Sequence, residues 1–187
     1  MNKLDSYYNL NIDVSSALSK DWNFPSTVEG KTMWNFFAGH IFDSEWLVYT
    51  KSLGINIVDA MVFFRKPNSY HSVAHIDQAG SSHAINWVFG GESTCMVWYE
   101  LPNFIGDKVT TSAGTGGKIW DRNSLTETAR VSIGKSPVLV RVDIPHVVDM
   151  QDSISNRWCI SARQRHPHVT WEDSVENLKS NNIIIFK

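Results

Sequence analysis

The chain has 187 residues and a mass of 21.2 kDa, which is the size of one domain with a substantial core. Its 42% hydrophobic and 19% charged residues exclude a disordered chain. A net charge of −2 and a pI near 6.4 exclude the strongly basic surface that binds nucleic acid or anionic membranes.

The sequence carries no recognisable targeting or membrane segment. Met1–Leu10 lacks the apolar stretch of a signal peptide, and no run approaches the roughly 18 apolar residues of a transmembrane helix. The two cysteines, Cys95 and Cys159, have no CxxC spacing and are predicted to be free thiols. We therefore expect one cytoplasmic domain spanning residues 1–187, with no membrane or nucleic-acid partner.

The first quarter of the chain predicts helices and one strand. Asp13 and the serines after it indicate a short helix over Ile12–Lys20. Trp22–Gly30 contains proline and glycine and is predicted to be a loop, and the aromatic run Thr32–Phe37 is predicted to be a strand. After Asp43, an amphipathic pattern indicates a helix that Gly54 ends.

From Ile55 onward, short apolar runs alternate with turn residues. The predicted strands are Asp59–Arg65, Val73–Asp77, His83–Phe89, Thr94–Leu101, Ala129–Ile133, Pro137–Val142, His146–Asp149 and Arg157–Arg163. No helical pattern separates them, which favours an antiparallel sandwich, barrel or jelly roll with its core at about residues 55–165.

Three further segments complete the chain. Pro102–Lys118, with its glycines, is predicted to be a long loop that covers a site. Thr170–Asp173 has the form of a capping box and begins a helix to about Lys179. The apolar tail Ile183–Phe186 must pack on a sheet edge or on a second subunit, so a homodimer through this tail is one prediction.

The strand Val73–Asp77 contains a candidate pair of metal ligands. An extended backbone directs His75 and Asp77 to the same face. Alone, the two could equally be a hydrogen-bonded surface pair. His146 supplies a second histidine, and two histidines with one carboxylate form the facial triad of non-haem Fe(II) oxygenases.

The last predicted strand has one unusually polar face. That face carries Arg157, Cys159, Ser161 and Arg163, while the opposite face carries Trp158, Ile160 and Ala162. A polar inner face late in a compact domain is typical of a fold whose interior holds a ligand.

The order His75-x-Asp77, His146 and then Arg157 resembles that of the Fe(II)/2-oxoglutarate-dependent dioxygenases. The run from His75 through His83 to Asn86-Trp87, followed by Trp98-Tyr99-Glu100, is more specifically similar to the aspartyl/asparaginyl β-hydroxylase and proline hydroxylase branch. The resemblance covers about Asp59 to Arg163.

The resemblance implies a double-stranded β-helix, a jelly roll of the cupin kind, flanked by N-terminal helices and a C-terminal helix. It implies that His75, Asp77 and His146 hold Fe(II) and that Arg157 binds the distal carboxylate of 2-oxoglutarate, with Ser161 on the same face. Many members have serine two residues after the arginine, where this chain has Cys159. The implied reaction hydroxylates an amino acid or peptide side chain with O₂, converting 2-oxoglutarate to succinate and CO₂.

Several other polar residues have structural interpretations. His83 is predicted to be a core or rim histidine rather than a spare ligand, and Asn86 and Trp87 either pack or line the site. Arg141 is predicted to be solvated and Arg163 to form a salt bridge at the rim, close to the surface. His71 either touches substrate or contacts nothing, and His166 and His168 flank Pro167 and are predicted to lie on the surface.

A different class of function uses the same predicted fold. A cupin-like module could bind a metal or a sugar without redox chemistry. Arg157 discriminates between the two, because a passive module needs no buried cation beyond its second histidine.

Overall fold

The computed structural model of this chain describes residues 5–26, 30, 32–69, 73–77, 82–103, 105–110, 116–150, 153–164 and 169–185. The strands are β1 (Tyr7–Leu10), β2 (Met33–Phe37), β3 (Ile57–Arg65), β4 (Val73–Asp77), β5 (His83–Gly90), β6 (Cys95–Tyr99), β7 (Asp107–Thr110), β8 (Gly116–Asp121), β9 (Glu127–Val131), β10 (Val138–Arg141), β11 (His146–Asp149), β12 (Arg157–Gln164) and β13 (Ile184–Ile185). The helices are α1 (Ala38–Ile41), α2 (Ser44–Ser52) and α3 (Trp171–Ser180), with a 3₁₀ turn at Arg122–Ser124. The prediction of a mainly β protein is confirmed.

The strands form two antiparallel sheets. The seven-stranded sheet has the order β13-β1-β10-β5-β12-β3-β2, and the six-stranded sheet has the order β7-β8-β4-β11-β6-β9. Within the described part of the chain, no strand pairing closes one sheet onto the other.

The eight central strands pair in a nested pattern. β6 pairs with β9, β5 with β10, β4 with β11 and β3 with β12, and all four pairs are antiparallel. Successive pairs alternate between the two sheets, so the chain behaves as a long antiparallel ribbon wound back and forth between two layers. Strands β7 and β8 are an insertion between β6 and β9 that pairs with β4.

The core has three parts, which follow from the alternation of side chains along the strands. The largest lies on the outer face of the seven-stranded sheet, where Ile85, Trp87 and Ile160 pack against the helices. A second part lies between the sheets and includes Trp98 and Cys159. A small third cluster covers the outer face of the six-stranded sheet. The seven-stranded sheet is thus buried on both faces: the helices cover its outer face, and the six-stranded sheet covers its inner face.

The predicted helix over Ile12–Lys20 is wrong. A turn at Ser15 and Ser16 replaces it, because the Asp13 carboxylate accepts the backbone N–H of Ser15 at 2.9 Å. The carbonyl of Asp13 accepts the indole N–H of Trp46 at 2.7 Å. Leu18 then forms an isolated bridge with Phe42. Local side-chain bonds of this kind compete with helix formation.

The predicted long loop Pro102–Lys118 is also wrong in large part. Asp107–Thr110 and Gly116–Asp121 form the antiparallel pair β7 and β8, with Phe104 and residues 111–115 outside the described residues. β8 pairs along the whole of β4. The segment therefore extends the six-stranded sheet beside the candidate ligands.

The remaining local predictions agree closely with the structure. The predicted strands of the central region are present with ends that differ by one or two residues. The Asp43 carboxylate caps α2, and Thr170 with Asp173 forms the predicted capping box of α3. Cys95 and Cys159 are free thiols, as predicted.

The first and the last described strands both belong to the seven-stranded sheet. β1 was not predicted; it pairs with β10 and, on its other side, with β13 of the C-terminal tail. Ile183 and Ile184 are buried, so the apolar tail packs on the edge of its own sheet. Among the described residues, none of the helices is both long and apolar enough to cross a membrane.

Candidate metal centre

A cleft lies between the inner faces of the two sheets. The six-stranded sheet contributes His75 and Asp77 from β4 and His146 from β11. The seven-stranded sheet contributes a polar wall from β3, β5 and β12. The candidate metal ligands and the predicted cosubstrate residues therefore line opposite walls of one cleft.

The strand pairing brings the three candidate ligands together. His75 and Asp77 alternate with outward-facing residues along β4, and His146 lies directly opposite His75 in the pairing of β11 with β4. The imidazole ring centroids are 4.5 Å apart, and Nε2 of His75 lies 3.7 Å from Oδ1 of Asp77. One ligand atom from each of the three residues lies within 4.8 Å of the others.

The histidine from β11 is oriented for coordination. Nδ1 of His146 lies 2.9 Å from the carbonyl oxygen of Ile144. Because a carbonyl oxygen only accepts hydrogen bonds, Nδ1 is assigned as the protonated ring nitrogen that donates this bond. Nε2 then retains its lone pair. A ligating histidine generally donates its other ring N–H in this way, which fixes both tautomer and ring orientation.

The residues present fit a divalent metal ion. Two imidazoles and one carboxylate place their donor atoms close to one another, and these three groups are the donor set of non-haem Fe(II) sites. His146 is buried, whereas His75 and Asp77 are half-buried, so the centre opens toward the cleft. The structure thus brings together all three ligands that the sequence predicts.

The predicted cosubstrate residues line the same cleft. Arg157 is 3% exposed and Ser161 is 5% exposed, and both project from the inner face of β12. Between them, burial raises the pKa of the Cys159 thiol, although the Arg157 guanidinium opposes this shift. Gly91 packs against the stem of Arg157: a Cβ at residue 91 would lie 2.6 Å from Cβ of Arg157.

A second arginine in the cleft was not predicted. Arg65 lies directly opposite Arg157 in the pairing of β3 with β12, and it also lines the cleft. Burial lowers the pKa of Arg65, and the neighbouring charge of Arg157 lowers it further. The ion pairs of the described part of the chain include neither Arg65 nor Arg157, so these two neighbouring guanidinium groups have the chemistry needed to bind an anion.

The prediction for Arg163 is wrong in one respect. Arg163 does form a salt bridge, but it is 8% exposed rather than close to the surface, and its partner is the candidate ligand Asp77. The distance from Nη2 of Arg163 to Oδ2 of Asp77 is 3.1 Å. Asp77 belongs to the six-stranded sheet, so a residue far along β12 from Arg157 still contacts one of the candidate ligands.

Arg141 is not the solvated residue that was predicted. Its side chain is half-buried, and Nε donates to the Asp143 carboxylate at 2.8 Å. The guanidinium group also lies over the ring of Trp171 at 5.9 Å. Arg141 therefore ties the end of β10 to α3.

His83 is a core histidine, as predicted. It is 1% exposed, and Ser82 and Ser174 lie within hydrogen-bond distance of its two ring nitrogens, each at 2.9 Å. Burial lowers the pKa of His83 to about 4. It is not a member of the candidate ligand group.

Asn86 and Trp87 face opposite sides of β5. Asn86 lines the cleft opposite Ser161, and its Oδ1 atom is buried without a hydrogen-bond partner among the described residues. Trp87 packs against Phe42 and Trp46 on the outer face. Of the two, only Asn86 can contact a ligand in the cleft. The predictions for His71, His166 and His168 concern positions outside the described residues.

Comparison with known proteins adds no family to these observations. No family model matches the chain, and no curated protein matches it. The resemblance noted above therefore rests on the sequence motifs alone. The cleft that contains His75, Asp77, His146 and Arg157 is an observation independent of it.

Proposed function

We propose that this protein is a non-haem Fe(II)/2-oxoglutarate-dependent oxygenase that hydroxylates an amino acid or a peptide side chain. In the overall reaction, one oxygen atom of O₂ enters a C–H bond of the substrate. The other enters succinate as 2-oxoglutarate loses CO₂. Fe(II) when bound supplies the oxidising chemistry, and the protein supplies ligands, charge and a shielded cleft.

The observation that carries the proposal is the placement of two unlike groups on facing walls of one cleft. The His75, Asp77 and His146 donors come from the six-stranded sheet, and Arg157 comes from the seven-stranded sheet. A diacid chelated at one end needs a fixed cation for its other end. Arginine suits this task because its planar fork binds a carboxylate bidentately and keeps its proton.

The residues of β3, β5 and β12 have defined roles in this proposal. Arg157 and Arg65 bind the distal carboxylate, and the charge of that carboxylate offsets the repulsion between the two guanidinium groups. Ser161 and Asn86 offer hydrogen bonds nearer the metal centre. The buried Oδ1 of Asn86 accepts a hydrogen bond from a ligand N–H or O–H, which satisfies an otherwise costly buried acceptor.

The nested strand pairing supports a double-stranded β-helix. In such a jelly roll, two Greek keys place eight strands in two facing sheets. The pairs β3·β12, β4·β11, β5·β10 and β6·β9 alternate between the two sheets, which is the pattern expected of that topology. The candidate ligands then lie on the second and seventh of the eight strands, and Arg157 lies on the eighth.

The choice of an amino acid or peptide side chain as substrate rests on the resemblance to the β-hydroxylase and proline hydroxylase branch. The alternative is a cupin-like module that binds a metal or sugar without redox activity. That alternative gives no role to Arg65 and Arg157.

A two-stage experiment tests the proposal. Adding Fe(II) and 2-oxoglutarate to the protein without oxygen should produce a weak visible charge-transfer band. A screen of amino acids and peptides in air should then find substrates that increase succinate release. Retention of Fe(II) with neither the band nor any succinate would favour the passive module.

A further inference from the structure

We propose that Arg163 is a positioning residue that divides the two carboxylate oxygens of Asp77 between an ion pair and the metal. This inference rests on the proposed metal centre. Arg163 donates from Nη2 to Oδ2 of Asp77 at 3.1 Å. Oδ1 of Asp77 is the oxygen that lies 3.7 Å from Nε2 of His75. The oxygen facing the other candidate ligand is therefore the one that Arg163 leaves free.

The ion pair crosses from one sheet to the other. Arg163 projects from β12 of the seven-stranded sheet, where it lies opposite Asp59 of β3, and reaches Asp77 on β4 of the six-stranded sheet. The side chains of Arg163 and Asp77 are 10% and 26% exposed. An arginine–aspartate pair that is shielded to this degree is screened less by solvent than an exposed surface pair.

A fixed carboxylate matters because its terminal torsion is otherwise soft. The χ2 angle of aspartate has a broad distribution, so an unrestrained Asp77 could present either oxygen or both. One oxygen from Asp77 and one nitrogen from each histidine leave three positions of an octahedron open. A bidentate 2-oxo acid and O₂ together need all three. Arg163 thereby controls both the affinity for the metal and the space left for the cosubstrate.

The same ion pair could instead serve only to hold the two sheets together. The two roles make different predictions. A purely structural clamp affects the free energy of unfolding and leaves the metal affinity of the folded protein unchanged. A positioning residue changes the metal affinity of the folded protein.

Co(II) affinity of the full chain tests the inference without turnover and without oxygen-sensitive iron. Co(II) is titrated by calorimetry into the wild type and the variants Arg163→Met and Arg163→Lys. Arg163→Met should bind Co(II) about 10- to 100-fold more weakly, the usual effect of removing a partner that orients a metal ligand. Arg163→Lys keeps the charge but loses the planar fork, and should be weaker by about threefold to tenfold.

Arg122→Met is the matched control. Arg122 also pairs with an aspartate on a ligand-bearing strand, Asp149 of β11, but Asp149 does not line the cleft. This variant should bind Co(II) within about threefold of the wild type, as expected when an ion pair away from the site is removed.

The Co(II) affinities distinguish a positioning role of Arg163 from a purely structural one. Equal Co(II) affinity in the wild type and in folded Arg163→Met overturns the positioning role, even if the variant is less stable. If circular dichroism shows that Arg163→Met does not fold, the decision passes to Arg163→Lys, and wild-type affinity in that variant overturns the role. Absence of Co(II) binding by the wild type, confirmed with Fe(II) without oxygen, overturns the metal centre itself.

Discussion

Arg157 and Arg65 lie directly opposite each other on neighbouring antiparallel strands, and both line the cleft that contains the candidate metal ligands. Like charges at opposed positions in a sheet are destabilising. The charge repulsion within this pair therefore destabilises the free protein. A carboxylate bound between the two arginines would offset that repulsion.

Substitution of Arg157 should weaken 2-oxoglutarate binding more than substitution of Arg65. Arg157→Ala should raise the dissociation constant at least about 100-fold, because a desolvated charge-assisted pair is worth roughly 3 kcal/mol. Arg65→Met should raise it about tenfold, since this change also relieves the repulsion on Arg157. Titration of the charge-transfer band without oxygen measures both values. The reverse ranking would mean that Arg65 is the principal cation.

Removal of either histidine ligand should abolish metal binding. His75→Ala or His146→Ala leaves two donors where three converge, so Fe(II) should be lost on equilibrium dialysis without oxygen. His83→Gln is the control, because His83 is buried outside the candidate ligand group and glutamine retains hydrogen-bonding capacity. Wild-type iron affinity in His146→Ala would exclude the proposed ligand set.

Gly91→Ala should disturb the cosubstrate site while leaving the metal in place. The new Cβ would lie 2.6 Å from Cβ and 2.8 Å from Cγ of Arg157, and residue 91 has φ of +65°, which alanine tolerates poorly. We expect at least about a tenfold loss of 2-oxoglutarate affinity, a fraction of the value of the displaced charge-assisted pair. Co(II) affinity should change by less than about threefold, because Gly91 is not part of the candidate ligand group. Unchanged binding of 2-oxoglutarate would show that the stem of Arg157 can move aside without cost.

Protonation of His83 should destabilise the fold in mild acid. The pKa is about 4 in the folded protein and 6.5 for an ordinary histidine, with burial as the main cause. Between these values the unfolded chain binds a proton that the folded chain does not, so stability falls as the pH is lowered from 6.5 to 4. The loss from this one group is on the order of 3 kcal/mol.

Urea unfolding at several pH values measures this effect. The free energy of unfolding of the wild type should fall more steeply across the window than that of His83→Gln, which cannot titrate there. Parallel pH profiles for the two proteins would show that Ser82 and Ser174 stabilise the charged form as well as the neutral one.

The candidate ligands could be predicted from the sequence because strand alternation is a local property. Residues His75 and Asp77 share a face whenever β4 is extended, and the pattern around His146 indicated a second short strand. Arg65 could not be found in this way. It stands at the end of a strand, before Lys66-Pro67, and only the non-local register of β3 against β12 places it beside Arg157.

The wrong predictions also arise from contacts between segments that are distant in the sequence. The strand pattern around Arg163 says nothing of the opposite sheet, which carries its partner Asp77. The glycine-rich segment before Lys118 has weak strand propensity, and pairing with β4 overrides that propensity. The turn at Ser15 forms because Asp13 bonds locally and anchors Trp46 from a distant helix.

The nested strand pairs also bear on how the chain reaches its native state. Each outer pair closes a longer loop than the pair inside it, and closing longer loops costs more chain entropy. Proteins dominated by such non-local pairing fold slowly, on the order of milliseconds to seconds. His75 and His146 meet only when β4 pairs with β11, so the three candidate ligands come together only after that non-local pairing has formed. A metal ion held by these three residues would therefore stabilise the chain only after β4 and β11 have paired, and could not act as an early template for folding.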